Sequence, residues 1–184
     1  IFNREWTNKE KFIIHDYTTI LPWHPTRRWN TRDLSIIKYI IIHQSAISAP
    51  FENINKAHIT SGNQNHLSKE GAPHIAYGAG IDKNGKVMLF NNYKHVTWHC
   101  KRFNLQSFGI NINGNFSGEG WIGTEEPTKF QFNSLKLYLD YLYTNTFKNL
   151  NVKNSLRGHC EFDPINKPAC PGWELMKFIN EYRK

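Results

Sequence analysis

The most constraining feature of the sequence is a nearly uninterrupted apolar run at residues 35–43, Ser-Ile-Ile-Lys-Tyr-Ile-Ile-Ile-His. Its β-branched residues favour an extended chain, and the scarcity of polar positions indicates a strand covered on both faces, at the centre of a sheet. His43 stands where the run gives way to the small polar turn 44–46. Because sites are often built at the ends of central strands, His43 is the first candidate functional residue.

Further helix and strand signals are spread along the rest of the chain. An Asn-Gly pair between two β-like runs predicts a hairpin, and Thr128 is a plausible N-cap for a helix with a periodic apolar face. The predicted elements are strands within 74–81, 86–90, 95–99 and 108–114, a short strand near 155–157, and helices over about 50–61, 128–147 and 173–182. In a chain of 184 residues, this order predicts an α/β fold, a single domain with a central mixed, twisted β-sheet flanked by helices.

The first part of the chain, residues 1–34, lacks a clear period. Trp6, Trp23 and Trp29 are spread among prolines and arginines, and a short helix over about 8–15 is compatible with the pattern. We expect this leader to be a strap that packs its aromatic side chains on the domain surface. A linker or docking element to another domain is the alternative. The functional domain is then predicted to be residues 35–184.

The charge of the chain narrows the choice of partners. A formal net charge of +8 and a pI of about 9.4 favour polyanionic surroundings: nucleic acid, anionic lipid or a cell wall with anionic polymers. Lysines and arginines are scattered, and the sequence shows no clear basic face with stacking aromatics, so no nucleic-acid partner is expected. No apolar run approaches the roughly 18 residues of a membrane-spanning helix, so no membrane span is expected.

The cysteine count excludes a fully paired disulfide framework. Cys100, Cys160 and Cys170 leave at least one thiol unpaired within the chain. A bridge between Cys100 and Cys160 that leaves Cys170 free is one alternative. Buried thiols at Cys100 and Cys160 are the other.

A second constraint is the segment 158–173, Gly-His-Cys-Glu-Phe-Asp-Pro-Ile-Asn-Lys-Pro-Ala-Cys-Pro-Gly-Trp. Its prolines predict a loop, which can bend His159 and Cys170 toward one point. Together with His43 they supply two imidazoles and one thiolate and leave a fourth position on a zinc ion for water. That ligand count is typical of catalytic rather than structural zinc, which lowers the pKa of its bound water to about 7.

Four blocks of the sequence resemble those of the type 2 N-acetylmuramoyl-L-alanine amidases and peptidoglycan recognition proteins, a superfamily of zinc amidases. The blocks are YIIIHQSA at 39–46, IAYGAGIDKNGKV at 75–87, HCKRFNLQSFGI at 99–110, and GH followed by KPACPG within 158–172. Their order and intervals agree over residues 36–173, which is more specific than any single motif.

The resemblance implies hydrolysis, by hydroxide on zinc, of the amide that joins N-acetylmuramic acid to L-alanine of the stem peptide in bacterial peptidoglycan. It implies His43, His159 and Cys170 as the zinc ligands. It also implies two catalytic residues. Tyr77 would supply a hydroxyl donor to the oxyanion, and Lys167 a positive charge that helps proton transfer to the leaving amine.

Two further residues, His99 and Asn104, are expected from the resemblance to contact the substrate. Several of these assignments have a structural alternative. Tyr77 is alternatively a plain strand residue, Lys167 a solvated loop lysine, and His99 a packed residue behind the site. Glu161 is either a catalytic carboxylate or a surface charge.

Two departures from the family pattern stand out. Gly-Ala-Gly at 78–80 replaces larger residues, so we expect a thinner strand and a less filled cleft wall. Lys167 precedes Cys170 by three positions, where the family usually has two. The rival hypothesis is a non-catalytic module that binds peptidoglycan in the same groove. Cys170 favours the enzyme, because family members that have lost catalysis typically lack this cysteine.

The expected partner is bacterial peptidoglycan, with anionic cell-wall polymers as a further candidate. We expect a monomer that is secreted, or delivered to the cell wall from a phage or a host cytoplasm. A phage lysin, a bacterial autolysin and a toxin-like amidase are all compatible with the sequence.

Overall fold

The computed structural model describes residues 12–184, which form one mixed sheet with helices packed against it. The strands are β1 (Ile14–Asp16), β2 (Tyr39–Gln44), β3 (Ala79–Ile81), β4 (Val87–Leu89), β5 (Ser107–Ile112) and β6 (Leu156–Gly158). The helices are α1 (Phe51–Ile59), α2 (Lys129–Tyr141), α3 (Val152–Ser155) and α4 (Trp173–Tyr182).

The strand order in the described sheet is β1-β4-β3-β5-β2-β6. The neighbours β3 and β4 form the predicted hairpin and pair antiparallel, whereas the other neighbours pair parallel. The two longest strands, β2 and β5, lie side by side in the interior, in register from Tyr39 opposite Ser107 to Gln44 opposite Ile112. The predicted α/β fold with a mixed sheet flanked by helices is therefore confirmed.

Only the second half of the apolar run forms a strand of the sheet, because Leu34–Ile36 make a 3-10 turn, Ile36 is 39% exposed and β2 begins at Tyr39. Ile40, Ile41 and Ile42 have no exposed surface, which confirms a strand buried on both faces. Because side chains alternate along a strand, Ile40 and Ile42 point to one face, and Ile41 and His43 to the other. The functional histidine therefore shares a face with a core isoleucine.

Helices cover both faces of the sheet. On the Ile42 side, α2 and α4 contribute Leu135, Leu139 and Leu175 to the larger core. On the opposite face, Phe51 and Ile54 of α1 pack in a second core. The predicted N-cap is confirmed, since the Thr128 hydroxyl accepts from the backbone N–H of the third residue of α2. The α-helix ends at residue 141, and a π-helical turn follows over Leu142–Thr146.

The glycines at 78 and 80 make room for aromatic rings rather than leaving space. A Cβ at Gly78 would lie 2.1 Å from the Phe108 ring, and one at Gly80 would lie 2.5 Å from Phe51 and 2.6 Å from Phe90. The expectation of a less filled wall is thus wrong at these positions, because bulk lost from the strand is supplied by neighbouring elements.

The N-terminal leader contributes a strand to the sheet. Residues 14–16 pair parallel with β4. The short helix that the pattern allowed over about 8–15 is therefore absent at positions 14 and 15, where the chain is extended. Residues 1–11, which include Trp6, lie outside the described residues. Trp23 stacks on His74 at 4.5 Å between ring centroids, and Trp29 donates to Asn91 Oδ1 at 2.8 Å. Among the described residues no helix is long and apolar enough to cross a membrane.

His74 is a buried imidazole beneath this leader. It has no exposed surface, and its ring nitrogens lie 3.2 Å from Asn91 Oδ1 and 3.3 Å from the Leu21 carbonyl oxygen. Burial lowers the pKa of His74 from 6.5 to about 4. The folded protein therefore holds His74 neutral under mildly acidic conditions in which an unfolded chain would protonate it.

The free energy of unfolding is accordingly expected to fall on acidification. The contribution of neutral His74 is fully present above the unfolded pKa and is lost as the pH falls toward the folded pKa, by roughly 2 kcal/mol between about pH 7 and about pH 5. Urea unfolding of the protein and of His74→Gln at both pH values measures this, with exposed His15→Gln as the matched control. An unchanged pH dependence in His74→Gln would contradict the assignment.

Candidate metal centre and substrate cleft

His43 and His159 are brought together by two neighbouring parallel strands. Strands β2 and β6 pair so that Ile42 lies opposite Gly158, and each histidine is the next residue along its strand. Parallel strands end at the same edge of a sheet, so the two rings emerge side by side, with centroids 4.5 Å apart. This edge, at the carboxyl ends of the strands, is where open α/β sheets usually bind ligands.

Cys170 is held at the same point by the loop that follows β6. The Gln44 side chain donates to the Ala169 carbonyl oxygen at 2.8 Å, which fastens the loop to the end of β2. The Cys160 N–H donates to the Cys170 carbonyl oxygen at 2.7 Å and closes the loop on itself. Cys170 Sγ then lies 3.8 Å from Nδ1 of His43. The loop thus brings a thiol to a histidine 127 positions earlier.

The three side chains fit a zinc ion. The donor atoms of His43, His159 and Cys170 all lie within 4.8 Å of one another. Tetrahedral zinc, with bonds of about 2.0–2.1 Å to nitrogen and about 2.3 Å to sulfur, places such atoms about 3.6 Å apart. The observed nitrogen–sulfur distance is 3.8 Å. Two imidazoles and a thiol form a donor set that zinc prefers, and three ligands leave one coordination position open.

The protonation states of the two histidines suit metal binding. Burial, with the neighbouring imidazoles and the Lys167 charge, lowers the pKa of His43 well below its usual value, and burial with Lys167 lowers the pKa of His159 to about 4. Both rings are therefore in the neutral form that binds metal. Burial raises the pKa of the Cys170 thiol to about 12, and a divalent cation would stabilise the thiolate instead.

Tyr77 lies at the edge of the cluster. Its ring centroid is 5.3 Å from that of His43 and 6.0 Å from that of His58 on α1. Burial, and then the nearby Cys170, raise the pKa of Tyr77, which keeps its hydroxyl protonated and able to donate. The structure thus places Tyr77 beside the predicted ligands.

Lys167 is exposed on the loop, three residues before Cys170. Its positive charge contributes to the lowered pKa values of both His43 and His159. The spacing that departs from the family pattern therefore still leaves the ammonium group within electrostatic reach of the site.

His99 lies beneath the site rather than in the cleft. It is 6% exposed, with Nδ1 3.0 Å from Nε2 of His43 and Nε2 3.1 Å from the Ser107 hydroxyl. Both ring nitrogens thus have protein partners, so neither is left for a substrate. These contacts favour the structural alternative, a packed histidine behind His43, and a contact between His99 and substrate stays a prediction.

Asn104 stabilises a turn. Its Oδ1 accepts from the Cys100 N–H at 2.7 Å, and its carbonyl oxygen accepts from Arg32. These contacts account for the side-chain oxygen and the main chain of Asn104. A contact between Asn104 and substrate stays a prediction.

The remaining candidates have structural roles. Cys100, Cys160 and Cys170 are free thiols, so the alternative of a Cys100–Cys160 bridge is wrong. Glu161 accepts from the Gly158 N–H at 2.8 Å and pairs with Arg183 at 2.9 Å. That carboxylate is therefore engaged in holding the turn that carries His159.

Three polar residues around the site were missed by sequence reasoning: Gln44, Ser107 and Asn111. All three are buried. Asn111 pairs in register with His43, and its Oδ1 accepts from the Ser45 hydroxyl at 2.8 Å. Its Nδ2 has no hydrogen-bond partner among the described residues. The Asn111 amide nevertheless lies near enough to Tyr77 to lower the pKa of the Tyr77 hydroxyl, against the larger effect of burial. The available signal was a polar residue at a core-facing position of a strongly apolar strand.

The fold and the site together define a class of protein. A mixed α/β sheet presents two histidines and a cysteine at its carboxyl edge, which is a donor set of the kind that catalytic zinc sites use. The family model for N-acetylmuramoyl-L-alanine amidase matches residues 22–173. The chain belongs to the N-acetylmuramoyl-L-alanine amidase family, and it is an enzyme that hydrolyses the amide between N-acetylmuramic acid and L-alanine in peptidoglycan.

Solved structures show the same fold at low sequence identity. The N-acetylmuramoyl-L-alanine amidase LysC from Clostridium intestinale is 21% identical, with a TM-score of 0.64 over 92% of this chain and 96% of that one. The Ph2119 endolysin from a Thermus scotoductus bacteriophage is 20% identical, with a TM-score of 0.67 over 93% of this chain and 99% of that one. Drosophila peptidoglycan recognition protein SD is 18% identical, with a TM-score of 0.70 over 91% of this chain and 94% of that one. No curated protein sequence matches the chain.

Proposed function

We propose that His43, His159 and Cys170 hold a zinc ion and that the muramoyl–L-alanine amide is cleaved beside it. The clustering of the three donor atoms within 4.8 Å, in a chain of the amidase family, carries this proposal. Bound there, zinc would act as a Lewis acid on the scissile carbonyl group and would lower the pKa of a water molecule. The protein supplies two neutral, buried imidazoles, in surroundings where charge is weakly screened.

Tyr77 stabilises the negative charge that develops on the amide oxygen. Its hydroxyl stays protonated because burial raises its pKa, and its ring lies 5.3 Å from that of the ligand His43. A fixed donor beside the reacting carbonyl lowers the barrier because it needs no reorientation as the charge appears.

Lys167 serves the leaving group. Cleavage turns the amide nitrogen of L-alanine into an amine, which must gain a proton. The Lys167 ammonium group, exposed on the loop and within electrostatic reach of His43, would hydrogen-bond to that nitrogen and supply positive charge as the C–N bond breaks.

Replacing Lys167 with methionine is expected to lower kcat on a muropeptide by about 10²- to 10⁴-fold, since an acid and a charge are lost while the proposed metal ligands stay. Zinc content should be unchanged. Steady-state kinetics with metal analysis measure both, and Lys148→Met, at another exposed lysine, is the matched control. Full activity in Lys167→Met would show that this residue is a solvated loop lysine.

Metal analysis of the purified chain tests the proposal directly. We expect one zinc per chain, loss of muropeptide cleavage on removal by a chelator, and recovery when zinc is added back. The released products should be a free muramic acid carboxyl group and a peptide with N-terminal L-alanine. Cleavage that persists in fully metal-free protein would refute the zinc assignment.

The proposed activity also indicates the partner of the enzyme and the place where it acts. Peptidoglycan is the polymeric partner, and the net charge of +8 favours retention on anionic cell-wall polymers. We expect the enzyme to act as a monomer at the cell wall, either after secretion or after delivery by a phage. Steep loss of wall binding at raised salt, without loss of cleavage of a soluble muropeptide, is the signature of that electrostatic contribution.

A further inference from the structure

The ligand His43 has a second ring nitrogen, and a continuous chain of hydrogen bonds leads away from it. Nε2 of His43 lies 3.0 Å from Nδ1 of His99. Nε2 of His99 lies 3.1 Å from the Ser107 hydroxyl, and that hydroxyl donates to the Phe103 carbonyl oxygen at 2.7 Å. Every link in this chain is within hydrogen-bond distance.

The far end of the chain fixes the direction of every proton. The Phe103 carbonyl oxygen, which also accepts from the Gln106 N–H at 2.9 Å, accepts from the Ser107 O–H at the shorter distance of 2.7 Å, and the hydroxyl oxygen then accepts from His99. Nε2 of His99 therefore carries the ring proton; the Ser107 carbonyl oxygen at 3.4 Å from Nε2 requires the same. A neutral ring with its proton on Nε2 has a bare Nδ1, which must accept from Nε2–H of His43. Nδ1 of His43 is then left without a proton.

We infer that His99 and Ser107 form a proton-ordering relay that holds His43 in the single tautomer whose bare Nδ1 faces Cys170. The inference rests on the proposed zinc site, because it assigns the liganding atom of His43 there. Nδ1 is the nitrogen that lies 3.8 Å from Cys170 Sγ. His99 is thus a positioning residue, and partners of this kind commonly set the orientation and basicity of metal-bound imidazoles.

The packing leaves the relay little freedom. A Cβ at Gly109 would lie 2.5 Å from Cγ of His99, so the ring rests directly on the bare backbone of β5. Ser107 has no exposed surface and His99 is 6% exposed. Water is therefore largely excluded as a substitute partner for either side chain.

The tautomers can be read directly in zinc-free protein. Long-range proton–nitrogen NMR spectra of ¹⁵N-histidine-labelled chain distinguish a protonated Nε2 from a protonated Nδ1. We expect both His43 and His99 to carry the proton on Nε2. A proton on Nδ1 of His43 would overturn the relay whether or not the chain binds zinc, so this outcome is separate from a failure of the proposed function.

Two substitutions at His99 separate the relay from packing. Asparagine offers Oδ1 as an acceptor near the position of Nδ1, whereas leucine fills more of the ring volume and accepts nothing. The relay requires His99→Leu to weaken zinc affinity, measured by chelator competition, by about 10- to 100-fold and His99→Asn to weaken it less. The opposite ranking would show that His99 acts through packing alone.

Ser107→Ala gives a third, smaller effect, because the Ser107 carbonyl oxygen at 3.4 Å remains as an acceptor. We expect a mixed tautomer at His99 in its NMR spectrum. Ser155→Ala is the matched control, since that buried hydroxyl also donates to a main-chain carbonyl oxygen at 2.7 Å but lies outside the site. A tautomer change in Ser155→Ala equal to that in Ser107→Ala would contradict the relay.

Discussion

Replacement of Cys170 with alanine is expected to abolish both zinc retention and cleavage of the muramoyl–L-alanine amide. The substitution removes the only anionic ligand of the proposed set and leaves two neutral imidazoles, His43 and His159, on a strand end and a turn. Loss of one of three protein ligands weakens a zinc site far more than loss of a partner behind it. Activity should fall to the background of metal-free protein, as measured by metal analysis and release of N-terminal L-alanine.

Cys160 provides the matched control for this experiment. It lies in the same loop and is also a free, partly buried thiol, but it is outside the cluster of donor atoms. Cys160→Ala should retain zinc and most activity. If Cys170→Ala still cleaved muropeptide, the ligand assignment would be wrong.

The same variant addresses the rival function. A non-catalytic recognition module would depend on the groove rather than on the metal, so its binding of muropeptide should be indifferent to Cys170→Ala. Equal muropeptide affinity in the unsubstituted chain and the variant, with no cleavage by either, would favour that module. We expect cleavage in the former and only binding in the latter.

Tyr77→Phe is expected to lower kcat by about 10²- to 10³-fold, because the hydroxyl group acts only once charge has developed on the amide oxygen. The ring and its packing near His43 and His58 are kept. KM and zinc content should therefore change little. A kinetic loss in kcat alone distinguishes a transition-state donor from a residue that only shapes the cleft.

Tyr143→Phe is the appropriate control, since this largely buried tyrosine also loses a hydroxyl contact, at 3.0 Å to Ser155, but lies outside the site. It should lower stability without a specific effect on kcat. Unchanged turnover in Tyr77→Phe would return Tyr77 to the role of a strand residue.

The sequence was most informative where one physical requirement dominates a segment. The apolar run at 35–43 predicted a strand buried on both faces, and Ile40 to Ile42 of β2 are fully buried, although Ile36 before the strand is 39% exposed. The prolines at 164 and 168 exclude regular structure from the ligand loop. Block order and spacing then indicated His43, His159 and Cys170, whose donor atoms do cluster.

Sequence reasoning failed where the outcome depended on contacts between distant segments. The glycines at 78 and 80 suggested empty space, but the rings of Phe108 and Phe90 fill it from other elements. The position of His99 in a block likewise did not indicate its partners, which are His43 and Ser107. A side chain's face and partners are set by strand register, which local pattern does not encode.

The sequence by itself determined the buried central strand, the loop, the family and the three side chains that cluster at the strand end, because these follow from residue chemistry, local backbone preference and the order of the blocks. Only the tertiary structure decided which nitrogen of His43 faces Cys170 and what lies behind it. That distinction depends on the parallel register of β2 with β5 and β6, which brings Asn111 and Gly158 alongside the strand end. Hydrogen bonds are directional and short-ranged, so their partners are specified only once the strands are placed.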